Sequence, residues 1–361
     1  MVRFGLLHLF EAPGGRTEKQ YIDENIEMIE YADAVGLDEV WLAEHHFSAY
    51  GVMPSTQVLA GHIAGRTKNL RIGSGVVVLP FHNPVRVAEE FAFIDQLCGG
   101  RLDFGVGRGY QPAEFRAYGI PLEESRDRFA ESLEIIKRAW THEKFSFKGK
   151  HFDFQDVEVH PRPFQKPHPP FFGASFDPET IKYQAMQGMN LLFSPLLADS
   201  QKITEYKSVL REHGHDPADF RVGGLVFVFV DEDRDRALAT FEEPCMSFYR
   251  TFAQMIPARE YPEAHGYYRY LHENLSTMVA DYDAGRLSFR EIVEEGPFHH
   301  GFIVGDPDSV KDKLQKLVED YQLTDVLCWT RLAGLRHDRV MHSMDQLVNR
   351  VVRPLRESGA L

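Results

Sequence analysis

Three titratable side chains, Glu44, His45 and His46, follow one another where a predicted strand ends. That strand covers residues 39–43, which are largely apolar and are preceded by a helix end at Gly36. In barrels and open sheets of parallel strands, ligands and catalytic groups lie at the carboxyl ends of the strands. A histidine there titrates near neutral pH and can act as a general base. The sequence therefore predicts acid–base chemistry at this strand end.

A metal site is an alternative interpretation of the two histidines. Adjacent side chains on an extended backbone point to opposite faces, so His45 and His46 are not expected to chelate one ion together. We therefore predict no metal ligands here. For His46 we favour a hydrogen-bonding role in the core.

Strand-like and helix-like segments alternate along the chain. Crossover helices are predicted between the strands, for example after Thr17, a suitable N-cap that precedes apolar residues at helical spacing. This alternation favours an α/β fold, a single (β/α)8 TIM barrel over residues 1–361, more readily than an open sheet. The eight predicted strands cover residues 2–9, 39–43, 70–79, 102–106, 170–174, 190–193, 222–230 and 325–329.

Two stretches depart from this alternation. Residues 144–154 alternate like an exposed hairpin. Residues 257–300 are rich in Tyr, His and Glu and have only a weak helical pattern, around residues 271–282. Long excursions on barrels are commonly lids over the site, so we predict that residues 257–300 form an inserted lid.

Composition restricts the partners of the chain. Its 361 residues include 40 Lys and Arg against 54 Asp and Glu, a formal net charge of −14, which argues against nucleic-acid binding. The cysteines, Cys98, Cys245 and Cys328, form neither a disulfide framework nor a metal-spaced set, which favours a reducing compartment. Because no apolar run approaches membrane-spanning length and the N-terminus is strand-like, we expect a soluble cytoplasmic protein without a membrane partner.

Several short motifs stand out along the chain: residues 41–47, Asn83-Pro84-Val85-Arg86, Asp95-Gln96-Leu97 with Gly100-Arg101, Phe104-Gly105-Val106-Gly107-Arg108-Gly109 and Val304-Gly305-Asp306-Pro307. Together they resemble one family, the bacterial luciferase-like flavin-dependent monooxygenases. Within that family, residues 44–47 are most similar to the luciferase α subunit and related alkanal monooxygenases. The resemblance implies a barrel that binds reduced FMN and reacts it with dioxygen, often as a homodimer, with FMN reduced by a separate NAD(P)H:flavin reductase.

The resemblance places His45 at the position of the family's catalytic histidine. In that family dioxygen adds to reduced flavin to give a C(4a)-hydroperoxide, whose deprotonated form attacks an aldehyde or ketone. A neutral imidazole beside the flavin can take or hold that proton. Glu44 is then expected either to orient a histidine or to contact the flavin through its backbone.

Further cofactor positions follow from the same resemblance. Arg108 is expected to bind the FMN phosphate through its guanidinium, and the backbone at Gly107 to approach the flavin ring. Gly75-Val76 matches the position of a non-proline cis peptide under the flavin, and a trans strand kinked at the glycine is the alternative. The remaining residues expected to line this part of the site are Tyr110, Gln111 and Ser194.

A second phosphate element is expected at residues 173–180, where a strand and small residues precede a helix started by proline. From the residues alone, an ordinary helix capped by Asp177 is favoured. The position within the family favours phosphate binding instead, through Ala174, Ser175 and Thr180. Asp177 is expected to cap the helix away from the phosphate.

The substrate and the alternatives are less closely defined. Gly107 stands where the luciferase α subunit has a reactive cysteine, so light emission is not expected. A small organic carbonyl compound is the first expectation. Two alternatives remain: a deazaflavin-dependent oxidoreductase on the same barrel, and a non-catalytic flavin-binding or partner subunit. Side chains near strand ends that could line an apolar cavity are Phe10, Met53, Phe81, Tyr110, Phe193 and Phe227.

Overall fold

The computed structural model describes residues 2–12, 15–175, 177–257, 260, 266–296 and 298–361. In chain order, the strands are β1 (Arg3–His8), β2 (Glu39–Leu42), β3 (Arg71–Ser74), β4 (Val77–Val78), β5 (Leu102–Gly107), β6 (Phe145–Lys148), β7 (Asp153–Val157), β8 (Phe171–Ala174), β9 (Asn190–Phe193), β10 (Val222–Val230), β11 (Phe302–Gly305) and β12 (Asp325–Trp329). The α-helices are α1 (Glu18–Val35), α2 (Thr56–Ala64), α3 (Pro84–Leu97), α4 (Pro112–Tyr118), α5 (Ser125–Thr141), α6 (Pro178–Met186), α7 (Gln201–Glu212), α8 (Arg234–Met255), α9 (Gly266–Asp283), α10 (Phe289–Glu294), α11 (Pro307–Tyr321), α12 (His337–Gln346) and α13 (Arg353–Glu357).

Eight parallel strands close into a barrel. Their order is β1, β2, β3, β5, β8, β9, β10 and β12, and β12 pairs back to β1. The ring closes where the first residues of β10 pair with β9. β9 pairs with residues 222–224 of the long strand β10, and β11 pairs with residues 227–230 of the same strand. The predicted (β/α)8 barrel is therefore confirmed.

Three elements differ from the sequence-based expectation. The single strand expected over residues 70–79 is two strands, β3 and β4, separated by a cis peptide between Gly75 and Val76. The position is the one at which the family resemblance implied a cis peptide, and the alternative of a trans strand kinked at the glycine is wrong. Helix α8 was not predicted, and Pro244 lies inside it, where proline normally ends a helix. The four-residue strand β11 was not counted as a strand either.

Trp41 fills the barrel interior, and glycines make room for it. Its side chain is fully buried, and its Nε1 donates to Glu39 Oε1 at 2.8 Å. A Cβ on Gly73 would lie 2.3 Å from Trp41 Cε3. A Cβ on Gly105 would lie 1.9 Å from the backbone oxygen of Ser74. These glycines therefore allow the backbone to pack closely around a large indole.

A buried ionic cluster lies at the amino ends of the strands. The Arg221 guanidinium donates to Glu39 at 2.5 Å, to Asp103 at 2.9 Å and to Asp325 at 3.0 Å. Arg71 also donates to Asp103, at 2.6 Å. Burial, reinforced by the charge of Asp325 and opposed by that of Arg221, raises the pKa of Glu39 to about 8. An intact cluster matters to the fold because a buried carboxylate without its cation is costly.

The predicted hairpin lies outside the barrel, as the antiparallel pair of β6 and β7. The Glu131 carboxylate of α5 accepts three backbone N–H groups from its turn, those of Lys150, His151 and Phe152, at 2.6, 3.0 and 3.2 Å. Trp140, also on α5, packs against aromatic side chains of β5 and β8. The hairpin is thus attached to a helix that is itself anchored on the outer face of the barrel.

The described part of the predicted lid, residues 257–300, contains α9 and α10. Helix α9 packs against α8, and the Tyr267 hydroxyl donates to the backbone oxygen of Leu197 beyond β9. The weak helical pattern at residues 271–282 falls inside α9. A lid function stays a prediction. Among the described helices, none combines the length and apolarity required to cross a membrane.

Candidate active site

A cavity of about 200 Å3 lies at the carboxyl ends of the barrel strands, beneath α8 and α9. Of the residues predicted for the site, all except Gln111 line it. Gln111 is 3% exposed and lies behind the lining, bonded to His45. The predicted residues that line the cavity are Glu44, His45, Gly75, Val76, Gly107, Arg108, Tyr110, Ala174, Ser175, Thr180 and Ser194.

His45 follows β2 and is held by α4. Its Nδ1 lies 3.2 Å from Glu114 Oε1 and 2.8 Å from Gln111 Nε2. Glu114 is 2% exposed, and it also accepts the backbone N–H of His46 at 2.9 Å. Since Nδ1 faces these partners, Nε2 is the ring nitrogen left for a bound molecule. Nδ1 accepts from the Gln111 amide in one tautomer, which leaves the proton on Nε2. In the other tautomer Nδ1–H donates to Glu114, and Nε2 carries the lone pair that a general base requires.

Glu44 is the centre of a buried hydrogen-bond network. Its carboxylate accepts from His46 Nε2 at 2.9 Å, from His82 Nε2 at 2.8 Å and from the N–H of Val78 at 3.2 Å. Burial opposes its ionisation, but the bonds from both histidines hold the pKa of Glu44 below its ordinary value. Burial would lower the pKa of His82, yet Glu44 raises it above the ordinary value. Glu44 therefore orients histidines, one of its two expected roles, and the Tyr118 hydroxyl completes the network 3.0 Å from His46 Nδ1.

One part of the cavity combines close backbone with a buried cation. The cis peptide joins Gly75 to Val76, and a Cβ on Gly107 would lie 2.5 Å from Val76 Cγ2. Arg108 is 7% exposed, and Tyr268 from α9 lines the same cavity, where burial raises the pKa of the Tyr268 hydroxyl and the charge of Arg108 opposes the change. A buried guanidinium beside a glycine-lined surface fits a ligand that has a flat ring and an anionic end.

The N-terminus of α6 lies in the same part of the cavity and is capped by Asp177, as expected. Asp177 Oδ2 accepts the N–H of Thr180 at 3.2 Å and its hydroxyl at 2.5 Å. Arg126 of α5 donates to the same oxygen at 3.4 Å. The Thr180 hydroxyl, which was expected to face a phosphate, is therefore engaged by the capping carboxylate. The Ser175 hydroxyl accepts the N–H of Asp177 at 3.0 Å.

Four rings, those of Tyr50, Phe248, Phe252 and Trp329, form an aromatic wall of the cavity. Phe248 and Phe252 of α8 stack with centroids 5.7 Å apart, and Tyr50 stacks on Phe252 at 6.1 Å. Trp329 meets Phe248 edge-on at 4.9 Å. The His45 ring lies 4.8 Å from that of Tyr50. An apolar molecule near His45 would therefore be held mainly by burial against aromatic surface.

Only two of the six side chains expected to line an apolar cavity do so, Tyr110 and Phe193. Nearness to a strand end does not determine the direction of a side chain, and Phe227 is enclosed by rings of α8 and β11. The expectation was wrong for Phe10, Met53, Phe81 and Phe227.

Glu11 is a buried carboxyl near Tyr50. Its Oε2 accepts the N–H of Ala333, while its Oε1 has no hydrogen-bond partner among the residues that the structure describes. Burial raises the pKa of Glu11 to about 8, although the Ala333 bond and the charge of Arg331 oppose the change. Glu11 is therefore mainly neutral at neutral pH.

The residues of this site that were not predicted from the sequence include Glu114, His82, Tyr50 and Tyr268. Glu114 follows Gln111 by three residues on α4, and helical spacing would have placed both on one face. His82 follows β4 within a few residues, so the strand-end argument applied to it as well. No local pattern marks Tyr50 or Tyr268, which reach the cavity only through tertiary packing.

Residues 2–322 match the family model for luciferase-like monooxygenases. The chain belongs to this family. It is 26% identical over 368 residues to the alkanal monooxygenase alpha chain of Aliivibrio fischeri, across 99% of both chains. It is 31% identical over 205 residues to the oxygenase component of flavin-dependent trigonelline monooxygenase from Acinetobacter baylyi, across 56% of this chain and 57% of that protein. The resemblance drawn from the sequence motifs is confirmed.

Solved structures share the fold at low sequence identity. The monooxygenase RslO1 from Streptomyces bottropensis superposes with a TM-score of 0.83 at 22% identity, over 98% of this chain and 99% of that one. The oxygenating constituent of 3,6-diketocamphane monooxygenase from Pseudomonas putida, solved with FMN, gives 0.79 at 21%, over 98% of each. The coenzyme F420-dependent tetrahydromethanopterin reductase from Methanopyrus kandleri gives 0.72 at 18%, over 98% and 99%. These structures therefore show that the fold of this chain is shared with them.

Proposed function

We propose that this protein uses reduced FMN and dioxygen to oxygenate an apolar aldehyde or ketone. One oxygen atom would enter the carbonyl substrate to give an acid or ester, and the other would leave as water. The two electrons required come from reduced FMN. The observation that carries the proposal is the position of His45, which lines one cavity together with the buried Arg108 and the aromatic wall.

In this proposal, some lining residues bind the cofactor and others transfer a proton. When bound, reduced FMN supplies the electrons that activate dioxygen. Arg108 would bind its phosphate, and the backbone at Gly75 and Gly107 would lie against its ring. His45 would take a proton at Nε2, while Glu114 holds the opposite Nδ1–H and stabilises the imidazolium that forms.

The cavity lining favours an uncharged substrate. Among the described lining residues Arg108 is the one Lys or Arg, and it is assigned to the phosphate. The other lining residues are mostly aliphatic or aromatic. An anionic substrate would lose its hydration at the aromatic wall without gaining a partner, whereas an uncharged carbonyl compound loses little.

A separate NAD(P)H:flavin reductase is part of the proposal, since the Acinetobacter baylyi relative is named as an oxygenase component. A homodimer is proposed from apolar side chains on the neighbouring helices α2 and α3, where Val58 is 74%, Phe93 54% and Leu97 53% exposed. Light scattering is expected to show a dimer that the double substitution Phe93→Asp and Leu97→Asp converts to a monomer. Equal masses for both proteins would remove this part of the proposal.

A deazaflavin enzyme that transfers hydride without oxygen is the second candidate, because the F420-dependent reductase shares the fold. The two candidates differ in the cofactor that binds and in the need for dioxygen. A non-catalytic flavin-binding subunit is a weaker candidate, because both His45 and Arg108 line the cavity.

The deciding experiment is an anaerobic titration with reduced FMN, followed by rapid mixing with dioxygen and a series of aldehydes and ketones. We expect a transient absorbing species, distinct from reduced and oxidised FMN, whose decay yields oxygenated product. His45→Asn is expected to bind FMN and to lose about a hundredfold or more in turnover. His142→Asn, at an exposed histidine, serves as the matched control.

Three other results would redirect the proposal. FMN binding without product formation would indicate a flavin-binding or partner subunit. Binding of a deazaflavin in place of FMN would indicate hydride transfer. Undiminished turnover by His45→Asn would remove the proposed base.

A further inference from the structure

A tyrosine from outside the barrel reaches the part of the cavity that holds Arg108. Tyr268 belongs to α9, yet it is only 7% exposed and lines the cavity. Its ring stacks on that of Tyr110, with centroids 6.0 Å apart and planes inclined by 12°. Arg108 lines the same cavity, and its charge opposes the rise in the pKa of the Tyr268 hydroxyl that burial causes. The predicted lid therefore contributes a polar group at the residue proposed to bind phosphate.

Two cations and one anion act electrostatically on this hydroxyl. Burial raises the pKa of Tyr268, while Arg108 and Arg126 lower it and Asp177 raises it, so all three charges lie within electrostatic reach. Arg126 and Asp177 are themselves paired at 3.4 Å. The same Asp177 oxygen holds the N-terminus of α6 through Thr180. The Arg126 side chain is half-exposed, and its contact with the Asp177 carboxylate restrains it.

A phosphate monoester presents three acceptor oxygens and a charge of about −1.5 to −2 at neutral pH. One guanidinium cannot saturate it, and the Tyr268 hydroxyl is already within the electrostatic reach of Arg108. A phosphate placed against Arg108 would lie beside that hydroxyl, which can donate to it. The Asp177 carboxylate would repel the same phosphate and compete with it for Arg126.

We infer that Tyr268 is a ligand of the cofactor phosphate, delivered by α9, and that Asp177 weakens phosphate binding by its charge and its hold on Arg126. This inference rests on the proposed FMN function. Because α9 supplies a hydrogen bond to the phosphate, phosphate binding would stabilise the packing of α9 over the barrel. That packing would in turn strengthen phosphate binding. A flavin without phosphate, such as riboflavin, would bind without using Tyr268.

Two substitutions isolate these roles and shift FMN binding in opposite directions. Tyr268→Phe keeps the ring that stacks on Tyr110 and removes only the hydroxyl. Asp177→Asn keeps a good N-cap for α6 and removes only the charge. Tyr270→Phe is the matched control, since Tyr270 lies on the same helix and is 58% exposed.

The experiment measures the dissociation constants of FMN and riboflavin in parallel, by quenching of flavin fluorescence, for the full chain and each variant. Tyr268→Phe is expected to weaken FMN binding about tenfold or more, as for loss of a charge-assisted hydrogen bond, and to leave riboflavin binding unchanged. Asp177→Asn is expected to tighten FMN binding several-fold, again without effect on riboflavin. Tyr270→Phe should change neither.

An FMN-to-riboflavin affinity ratio that Tyr268→Phe leaves unaltered would overturn the inference while the proposed function stands. Equal weakening of both ligands would also overturn it, because the hydroxyl would then act on the ring or on the fold. If the unsubstituted chain binds neither flavin, the proposed function fails first and the inference fails with it.

Discussion

Replacing Glu11 by Gln is expected to make the protein more stable as the pH rises, relative to the unsubstituted chain. Burial raises the pKa of Glu11 to about 8 in the folded protein, from an ordinary value of 4.5. Its Oε1 lacks a hydrogen-bond partner in the described part of the chain, so no hydrogen bond compensates a charge on that atom. The amide introduced by Glu11→Gln would keep the neutral shape and an acceptor for the N–H of Ala333.

The sign follows from proton binding. Below about pH 4.5 Glu11 is protonated in both the folded and the unfolded chain, and the stabilisation by its proton is fully present. Between that value and about pH 8 the folded chain retains a proton that the unfolded chain has lost. The free energy of unfolding should then fall by about 1.4 kcal/mol per pH unit relative to Glu11→Gln, on the order of 5 kcal/mol in total. Above about pH 8 the difference should become constant.

The assay is chemical denaturation of both chains at intervals from about pH 5 to about pH 9, a range that spans the titration. Subtracting one free energy of unfolding from the other cancels groups that titrate alike in both chains. A difference that does not change with pH would show that Glu11 is ionised in the folded protein, and would refute the argument from its burial. A difference of opposite slope would mean that the pKa of Glu11 is lowered in the folded protein, as it would be if a buried cation were paired with the carboxylate.

Three further predictions concern the site and the barrel. Glu114→Gln is expected to lower turnover about ten- to a hundredfold, because it removes the charge that stabilises protonated His45. Steady-state rates would show this loss, and flavin titration should show an unchanged FMN affinity. Full turnover by the variant would contradict the prediction. Arg221→Met should reduce the free energy of unfolding by about 3–5 kcal/mol in denaturation experiments, because buried carboxylates lose their cation, and an unchanged midpoint would argue against the cluster. Gly105→Ala should lower the melting temperature sharply, since its Cβ would lie 1.9 Å from a backbone oxygen, whereas Gly61→Ala, with nothing within 4 Å, should not.

The barrel could be predicted because its determinants are local. Helix α1 begins at Thr17 with a complete capping box and ends at Gly36 in the left-handed region, at φ 83°, and both signals are visible in the sequence. The elements that were missed lack such signals. Helix α8 continues through Pro244 because its aromatic face packs on the barrel, and tertiary packing overrides the local preference there.

The candidate site was predictable where it follows strand ends. His45 and Arg108 come directly after strands, so the topology of a parallel barrel brings them to one rim. Glu114 was missed because its partner His45 lies 69 residues away, and only the folded barrel places them in contact. Tyr268 was missed for the same reason, since nothing in residues 257–300 indicates which side chain enters the cavity.

The placement of the three tryptophans gives the protein an optical consequence. Trp329 belongs to the aromatic wall, and Trp41 lies beneath the cis peptide, with its Cβ 3.4 Å from a Cβ built on Gly75. Trp140 is held on the outer face by α5. Flavins and deazaflavins absorb at the wavelengths at which indoles emit. A bound cofactor would therefore quench the fluorescence of Trp41 and Trp329 more strongly than that of Trp140. The decrease in intrinsic tryptophan fluorescence would therefore report the fraction of occupied cavities without a label. The emission of Trp140 would change less.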